Sequence, residues 1–467
     1  MLPRPRDYRS SSPSGPDDDK ISGLMATVIL PAPLVSRLAG ARRLEVEGDD
    51  VATVLQALES AQPGLRGWIL DDQGRIREHV NVFVNASQAG LTSPVAPQDE
   101  VYIMHAISGG SQATGELLVG TKKGLFTLRG PRGGRMQPLE RQFPGQVVEY
   151  AFRDRRTGTC YAAVTHGQFG PHVYLADDPA GPWTQAEGPA FPAGEEASVE
   201  RVWVIEPGSE DGVLWAGVAP AALFRSSDGG RSWQLNEALW NDPSRPDWSG
   251  GFGGLCLHTI CPWPGDPGRL TLGISSVGVW QTADGGASWQ RHFEGLVPRY
   301  LPEEARADTL MHCVHKMEQA PLQPDTFYMQ FHGGVYRSDD GGRSWTDIGA
   351  NGLPADFGFP IVIDPADPDR AFVIPLVADV DRVTVDGKVR VYETRDRGAS
   401  WQALAMGLPQ SEAYETVLRQ GFCHDGGEPL GLYFGTEAGI VYGSANGGAS
   451  WETVIDHLPP ITSVRAT

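Results

Sequence analysis

The amino-acid sequence predicts a mainly β protein in which an N-terminal α+β domain precedes a seven-bladed β-propeller. The 467 residues include 58 Gly, 37 Pro and 13 Trp, which is typical of short strands joined by tight turns around buried indole rings. A motif that ends in Trp recurs at nearly constant intervals after residue 220, as in proteins built from structural repeats. Before residue 111, alternating strand patterns instead surround one segment with a helical period.

The composition excludes several classes of function. Lys and Arg total 38 against 58 for Asp and Glu, and a formal net charge of −20 opposes binding to nucleic acid. Five scattered cysteines indicate free thiols in a reducing compartment rather than a disulfide framework. No apolar run approaches the roughly 18 residues that span a bilayer, and the first 20 residues lack the apolar segment of a secretion signal. We therefore expect a cytoplasmic protein that binds no membrane.

The predicted boundaries divide the chain into four segments. Residues 1–24 are rich in Pro, Ser and Asp and contain almost nothing to bury, so we expect a disordered N-terminal extension. Residues 25–110 form the α+β domain, residues 111–115 a linker, and residues 116–467 the propeller.

The α+β domain has the element order of a ubiquitin-like β-grasp fold. Residues 26–35 and 43–49 predict two strands, and residues 50–65 predict a helix with Asp49 and Asp50 where an N-cap belongs. The apolar positions that suit one helix face are Val51, Val54, Leu55, Leu58 and Leu65. Residues 69–85 predict a turn-linked strand pair and residues 100–110 a last strand, so that one helix crosses a small sheet.

Residues 26–110 resemble the MoaD/ThiS family of sulfur carriers. The segments that carry the resemblance are VNVFVNASQAG at 80–90, PQDEVYI at 97–103 and the closing Gly109-Gly110. The resemblance implies that a tail without side chains enters the channel of an E1-like adenylating enzyme and receives sulfur as a thiocarboxylate. Because Ser111 follows Gly110, it also implies prior cleavage there by a JAMM-type metalloprotease. The alternative is that the two glycines form only a flexible linker.

The recurring motif matches the Asp box (BNR repeat), S/T-x-D-x-G-x-x-W. Its copies are SSDGGRSW, TADGGASW, SDDGGRSW, TRDRGASW and SANGGASW. The anchor residues Asp228, Asp284, Asp340 and Asp396 are spaced 56 apart, and Asn446 follows 50 residues later. An Asp in such a turn accepts backbone N–H groups and the Trp packs between sheets. We therefore interpret these carboxylates as structural and not catalytic.

Two degenerate copies near residues 116 and 159 bring the count to seven. The 352 residues from 116 to 467 then give about 50 per copy, which suits a four-stranded blade. The C-terminal segment has no box of its own and is expected to complete the first blade, which removes exposed sheet edges. Propellers with these boxes resemble sialidases, sortilin-type receptors and a photosystem assembly factor. This resemblance implies an alternative function, a sialidase-like hydrolase with the β-grasp domain as a docking module.

The predicted first strands of the blades carry the candidate ligand residues. His258 lies 26 residues before its box Asp and His315 lies 25 before its own, while Arg201 and Arg419 each lie 27 before theirs. Equivalent positions of neighbouring blades place such side chains together at a central channel. Lys316, one of five lysines, adjoins His315.

Three interpretations of this histidine-rich region stay open. His258, His312, His315 and His332 with Cys256 and Cys313 offer ligands for a divalent metal, with His258 and His315 as the main candidates. Alternatively, the channel binds an anion or small organic molecule, or the loop face binds a protein. In the third interpretation, the histidines have only a structural role. His312 and His315 are three residues apart, so strand alternation points them to opposite faces.

Overall fold

The computed structural model describes residues 25–30, 42–71, 73–77, 80–105, 113–307 and 310–467. The chain divides into two compact units, Met1–Ile107 and Ser108–Thr467. The predicted extension 1–24 and the residues Gly109, Gly110 and Ser111 lie outside the described residues. No helix in the described ranges is long and apolar enough to cross a membrane.

In its described residues, the first unit is a five-stranded sheet with one α-helix, as predicted for a β-grasp domain. Its sheet has the order β2-β1-β5-β3-β4, in which β1 and β5 are parallel. Its elements are β1 (Met25–Ile29), β2 (Arg43–Glu47), α1 (Val51–Ala61), a 3-10 turn (Pro63–Leu65), β3 (Val80–Val84), β4 (Ser87–Gln88) and β5 (Glu100–His105).

Helix α1 begins where the sequence predicts. The Asp50 carboxylate accepts a hydrogen bond of 2.7 Å from the backbone N–H of Thr53, and the Thr53 hydroxyl lies within 3.2 Å of the Asp50 N–H. This reciprocal pair satisfies two N–H groups that a helix N-terminus otherwise leaves unpaired. The predicted apolar face is buried, with Leu65 following in the 3-10 turn.

The second unit contains seven four-stranded antiparallel sheets in its described part. Six consist of consecutive strands, and the seventh joins β33 from the C-terminus to β6, β7 and β8. Strand β6 begins at Thr114, within the predicted linker. In chain order the strands are β6 (Thr114–Thr121), β7 (Gly124–Pro131), β8 (Gln137–Gln142), β9 (Val147–Arg153), β10 (Cys160–His166), β11 (Gly170–Ala176), β12 (Thr184–Ala186), β13 (Arg201–Pro207), β14 (Leu214–Ala219), β15 (Ala222–Ser226), β16 (Gln234–Leu235), β17 (Leu257–Pro262), β18 (Leu270–Ile274), β19 (Gly278–Thr282), β20 (Gln290–His292), β21 (Val314–Gln319), β22 (Phe327–Phe331), β23 (Gly334–Ser338), β24 (Thr346–Asp347), β25 (Phe357–Asp364), β26 (Asp367–Leu376), β27 (Val391–Thr394), β28 (Gln402–Leu404), β29 (Phe422–His424), β30 (Leu432–Gly435), β31 (Val441–Ser444), β32 (Glu452–Ile455) and β33 (Ile461–Ala466). The short helix α2 (Glu237–Trp240) and the 3-10 turns Arg245–Asp247, Glu303–Ala305 and Val385–Gly387 lie in connections.

The first strands of these sheets contact one another in succession. β9 contacts β13, β13 contacts β17, β17 contacts β21, β21 contacts β25, β25 contacts β29, β29 contacts β33, and β33 contacts β9. Apolar side chains fill the space between adjacent sheets, so that one core cluster joins Tyr161, Trp215 and Trp280 from three consecutive sheets. Repeated four-stranded sheets packed face to face are consistent with a β-propeller.

The five Trp-ending motifs form turns with a shared hydrogen-bond pattern. Asp228 accepts backbone N–H groups from Arg231 and Ser232, both at 3.0 Å, and the Ser232 hydroxyl at 2.6 Å. These bonds, the Ser232 hydroxyl first among them, lower the pKa of Asp228 to about 2. The same N–H and hydroxyl contacts four residues along recur at Asp284, Asp340 and Asp396. Asn446 likewise accepts the Ser450 N–H, but its amide N–H₂ donates to the Ser450 hydroxyl. The contacts stabilise the turns, which accounts for the residue type at these positions.

A β-bulge recurs in the first strand of several sheets. In each case the pairing register shifts by one residue, which leaves a residue without a partner opposite it. These bulged residues are Glu149, Trp203, His258, His315 and Thr462. Three of them reach the first strand of the neighbouring sheet, where they donate a hydrogen bond to a backbone carbonyl: His258 to Val314, His315 to Gly358 and Thr462 to Val148.

Candidate functional site

The candidate site lies at the beginning of the first strands, at the end of the sheets opposite the Trp-ending turns. Its central residue is Arg419, which lies three residues before the start of β29 and is 9% exposed. The guanidinium packs on the rings of Trp203 and Phe359, at 5.6 and 5.0 Å from their centroids. Its Nε atom is buried and has no hydrogen-bond partner among the described residues. A buried cation without an anion is costly, so this position favours a negatively charged ligand.

Two further arginines increase the positive potential around Arg419. Burial lowers the pKa of Arg419, and repulsion from Arg382 and Arg201 lowers it further, whereas the thiols of Cys256 and Cys313 oppose this effect. Arg201 is partly neutralised by Glu149, whose Oε1 lies 3.1 Å from the Arg201 Nε. The site around Arg419 is therefore cationic, and the thiols of Cys256 and Cys313 lie beside it.

Cys313, His315 and His332 form a compact cluster next to this arginine. One potential ligand atom from each lies within 4.8 Å of the others. Burial and the charge of Arg419 hold the pKa of His315 well below its usual value. The pKa of His332 is lowered mainly by burial, although Asp379 opposes that shift. Both imidazoles are therefore neutral near pH 7, with a lone pair on one nitrogen.

Tyr300 holds the segment that leads into this cluster. Its hydroxyl donates to the carbonyl oxygen of Met311 at 2.6 Å and accepts from the backbone N–H of Cys313 at 2.8 Å. Its ring contacts His332 edge-on, with 4.5 Å between centroids. The sequence offered no signal for this role beyond the unusual length of the 294–310 connection.

Other predicted site residues lie outside the cluster. His258 is fully buried, and its two ring nitrogens face the Val314 carbonyl at 2.9 Å and the Thr259 hydroxyl at 3.1 Å. His312 is bonded through Nδ1 to Arg291 at 2.6 Å. Cys256 is buried, and desolvation raises its pKa to about 11. His258 thus joins two sheets, and His312 does not converge with His315.

Lys316 lines a separate cavity of about 570 Å³ along the far half of the first strands. The Lys316 ammonium pairs with Glu318 at 2.8 Å. Burial would raise the pKa of Glu318, but Lys316 outweighs it and the pKa is lowered. Across the cavity, Glu206 accepts from the Tyr150 hydroxyl at 2.9 Å. These charged groups have partners within the described residues. This cavity therefore gives weaker evidence of a bound ligand than the buried Arg419 guanidinium does.

The N-terminal domain matches a known protein family. The model of the ThiS family matches residues 28–110. Small archaeal modifier protein 1 of Haloferax volcanii is 35% identical over 79 residues, which are 16% of this chain and 91% of that protein.

Two solved structures resemble a larger part of the chain at low identity. An ancestral GH74 enzyme is 16% identical with a TM-score of 0.45, over 75% of this chain and 40% of its own length. YCF48 bound to D1 peptide is 14% identical with a TM-score of 0.41, over 63% of this chain and 78% of its own. The family assignment therefore comes from the N-terminal domain, and through residues 28–110 the chain belongs to the ThiS family.

Proposed function

We propose that this chain is a sulfur-carrier protein whose β-grasp domain is fused to a ligand- or partner-binding β-propeller. The observation that carries the proposal is the family match, which ends at Gly110, the second residue of the Gly109-Gly110 pair. In carriers of this kind, the carboxylate of the last glycine is adenylated by an E1-like enzyme and then receives sulfur. The small archaeal modifier similarity supports the same role for residues 25–110.

Sulfur transfer by this chain requires release of the Gly110 carboxylate. Its carbonyl carbon is bonded to the nitrogen of Ser111, so hydrolysis of that bond by a JAMM-type metalloprotease must precede adenylation. The absence of side chains at both glycines allows the tail to enter a narrow protease channel.

The release step is tested by intact mass after incubation of the full-length chain with a JAMM-type metalloprotease. We expect two fragments, 1–110 and 111–467. A Gly109→Val chain is the matched control, because a branched side chain blocks entry into a narrow channel. If the full-length mass persists with the unsubstituted chain, the release step is wrong.

We infer that the seven sheets of the second unit are the blades of one closed propeller. The successive contacts of the first strands, which return from β33 to β9, support this arrangement. The pairing of β33 with β6 supports closure by the C-terminus, since it gives the sheet of β6 its first strand. The motif turns are then Asp boxes on one face, and the Arg419 site opens toward the other face.

The propeller binds an anionic small molecule or an acidic group of a partner at Arg419. Thermal unfolding with acetate, pyruvate or inorganic phosphate tests this with defined probes. We expect at least one of these anions to raise the Tm of the wild-type chain but not that of Arg419→Met. Arg395→Met is the control, since the Arg395 side chain is 62% exposed. Without a ligand, Arg419→Met should be at least as stable as wild type, because it removes an uncompensated buried charge.

A sialidase-like hydrolase is the second candidate. One observation favours it: Arg201 and Arg382 both lie close enough to Arg419 to interact with its charge. Screening glycoside and lactone substrates with wild type, Arg201→Ala and His315→Ala tests it. If turnover is unchanged in both variants, this site is not a hydrolase centre.

A further inference from the structure

The Cys313, His315 and His332 cluster is built on one sheet. Cys313 immediately precedes β21, His315 lies on that strand, and His332 lies in the turn between β22 and β23. The backbone N–H of His332 donates to the carbonyl oxygen of Cys313 at 3.0 Å, which joins the two segments. Although His315 lies in a β-bulge, its side chain converges with those of Cys313 and His332, with one ligand atom of each within 4.8 Å of the others. The three ligand positions are thus fixed relative to one another before any ligand binds.

The imidazoles are oriented as metal ligands usually are. His315 donates its Nδ1–H to the Gly358 carbonyl at 2.5 Å, which leaves the lone pair on Nε2. The Nε2 of His332 lies 3.6 Å from a carboxylate oxygen of Asp379, which places a carboxylate on that side of the ring. A backbone carbonyl or a carboxylate on the second nitrogen fixes the tautomer of metal-binding histidines and raises their basicity.

We propose that Cys313, His315 and His332 bind a zinc ion with an open fourth position beside Arg419. One thiolate and two imidazoles suit zinc, and three protein ligands leave a site for water or an exchangeable ligand. Zn–S and Zn–N distances of about 2.3 and 2.0–2.1 Å place tetrahedral ligand atoms about 3.4–3.6 Å apart. The cluster therefore needs to contract by roughly 1 Å from its observed span of 4.8 Å.

Arg419 lies beside this cluster, since its charge interacts with Cys313, His315 and His332. An anionic ligand at the open fourth position would therefore also face the Arg419 guanidinium. The inference stands independently of sulfur transfer by the N-terminal domain.

Metal content and cobalt(II) spectroscopy of the full-length chain test the proposal. The protein is stripped with a chelator, titrated with zinc, and the variants Cys313→Ser and His332→Ala are compared with Cys256→Ser. Cys256 is a nearby buried thiol outside the cluster. We expect one zinc per wild-type chain and the same for Cys256→Ser, with at least about tenfold weaker binding in both cluster variants, as loss of metal-site groups commonly causes.

The absorption spectrum of the cobalt-loaded chain distinguishes loss of a metal ligand from a change in the fold. We expect a thiolate-to-cobalt charge-transfer band in wild type and Cys256→Ser that disappears in Cys313→Ser, while circular dichroism shows every variant folded. Substoichiometric zinc in the folded wild-type chain would overturn the proposal. Undiminished zinc affinity in either cluster variant would do the same.

Discussion

The Nδ1 atom of His315 lies 2.5 Å from the carbonyl oxygen of Gly358, the residue that ends regular pairing before an irregularity in the first strand of the next sheet. One blade earlier, His258 makes the equivalent contact through Nε2 with Val314 at 2.9 Å. Both histidines occupy β-bulges and join neighbouring sheets. They differ in their other neighbours, because the Nδ1 of His258 lies 3.1 Å from the Thr259 hydroxyl, while His315 forms a cluster with Cys313 and His332.

His258→Leu should destabilise the second unit by about 1–3 kcal/mol, the usual cost of leaving a buried carbonyl such as that of Val314 without its donor. Urea denaturation measures the change. His292→Leu is the matched control, because His292 is only partly buried and lies on an outer strand. Equal stability of His258→Leu and wild type would contradict the role of the bulge contact.

Arg370→Met should be strongly destabilising, by about 3–5 kcal/mol, because it leaves the buried Asp364 carboxylate without its cation and Glu393 with only the exposed Arg395. Arg370 bonds Asp364 at 2.9 Å and Glu393 at 2.6 Å. Arg395 contacts the same Glu393 oxygen at 2.9 Å but is 62% exposed, so Arg395→Met should cost less than about 1 kcal/mol. Similar unfolding free energies for the two variants would show that burial of the Arg370 ion pairs contributes nothing to stability.

Acid stability should depend on the carboxylates of the Trp-ending turns. The pKa values of Asp228, Asp284, Asp340 and Asp396 are all lowered in the folded chain, to about 2 for Asp228 and Asp284. A lowered pKa stabilises the fold above about pH 4, the unfolded value, and this contribution is lost as the pH falls toward 2.

The variant with all four replaced by Asn should therefore lose less stability than wild type between pH 4 and pH 2. Asn446 provides the precedent, since its amide oxygen accepts from the Ser450 N–H at 3.0 Å and its amide N–H₂ donates to the Ser450 hydroxyl at 2.9 Å. Thermal unfolding across this pH range is the measurement. If the Tm of the two chains falls in parallel between pH 4 and pH 2, these four carboxylates do not account for the acid sensitivity.

Removal of residues 461–467 should abolish cooperative unfolding of the second unit. Strand β33 supplies the first strand of the sheet that contains β6, and without it β6 presents an unpaired edge. Hydrogen exchange should then show loss of protection in β6 and β9, the strands that β33 contacts. Deletion of Thr467 alone is the control. Retained protection in the 461–467 deletion would argue against closure by this strand.

The elements that the sequence predicts well are those stabilised locally. The helix at Val51–Ala61 follows from its N-cap and apolar face, and the Trp-ending turns follow from side chains that bond backbone groups within four residues. The repeated four-stranded sheets follow from the even spacing of the motifs.

The site was less predictable because it depends on long-range contacts. A bulge at His315 changes the direction of a side chain in a way that simple strand alternation does not foresee. Arg382 comes from an inserted connection with no counterpart in other repeats, and Tyr300 acts through backbone groups of Met311 and Cys313. The sequence therefore included Cys313, His315 and His332 among six candidate ligands, but did not indicate that these three converge.

The most direct test of the sulfur-carrier assignment is the mass of a chain ending at Gly110 after incubation with an E1-like enzyme, ATP and a sulfur donor. We expect the mass increase that corresponds to replacing one carboxylate oxygen by sulfur, and no increase for the matched chain that ends at Gly109. An unchanged mass of the Gly110-ended chain, under conditions where a known carrier is converted, would contradict the assignment.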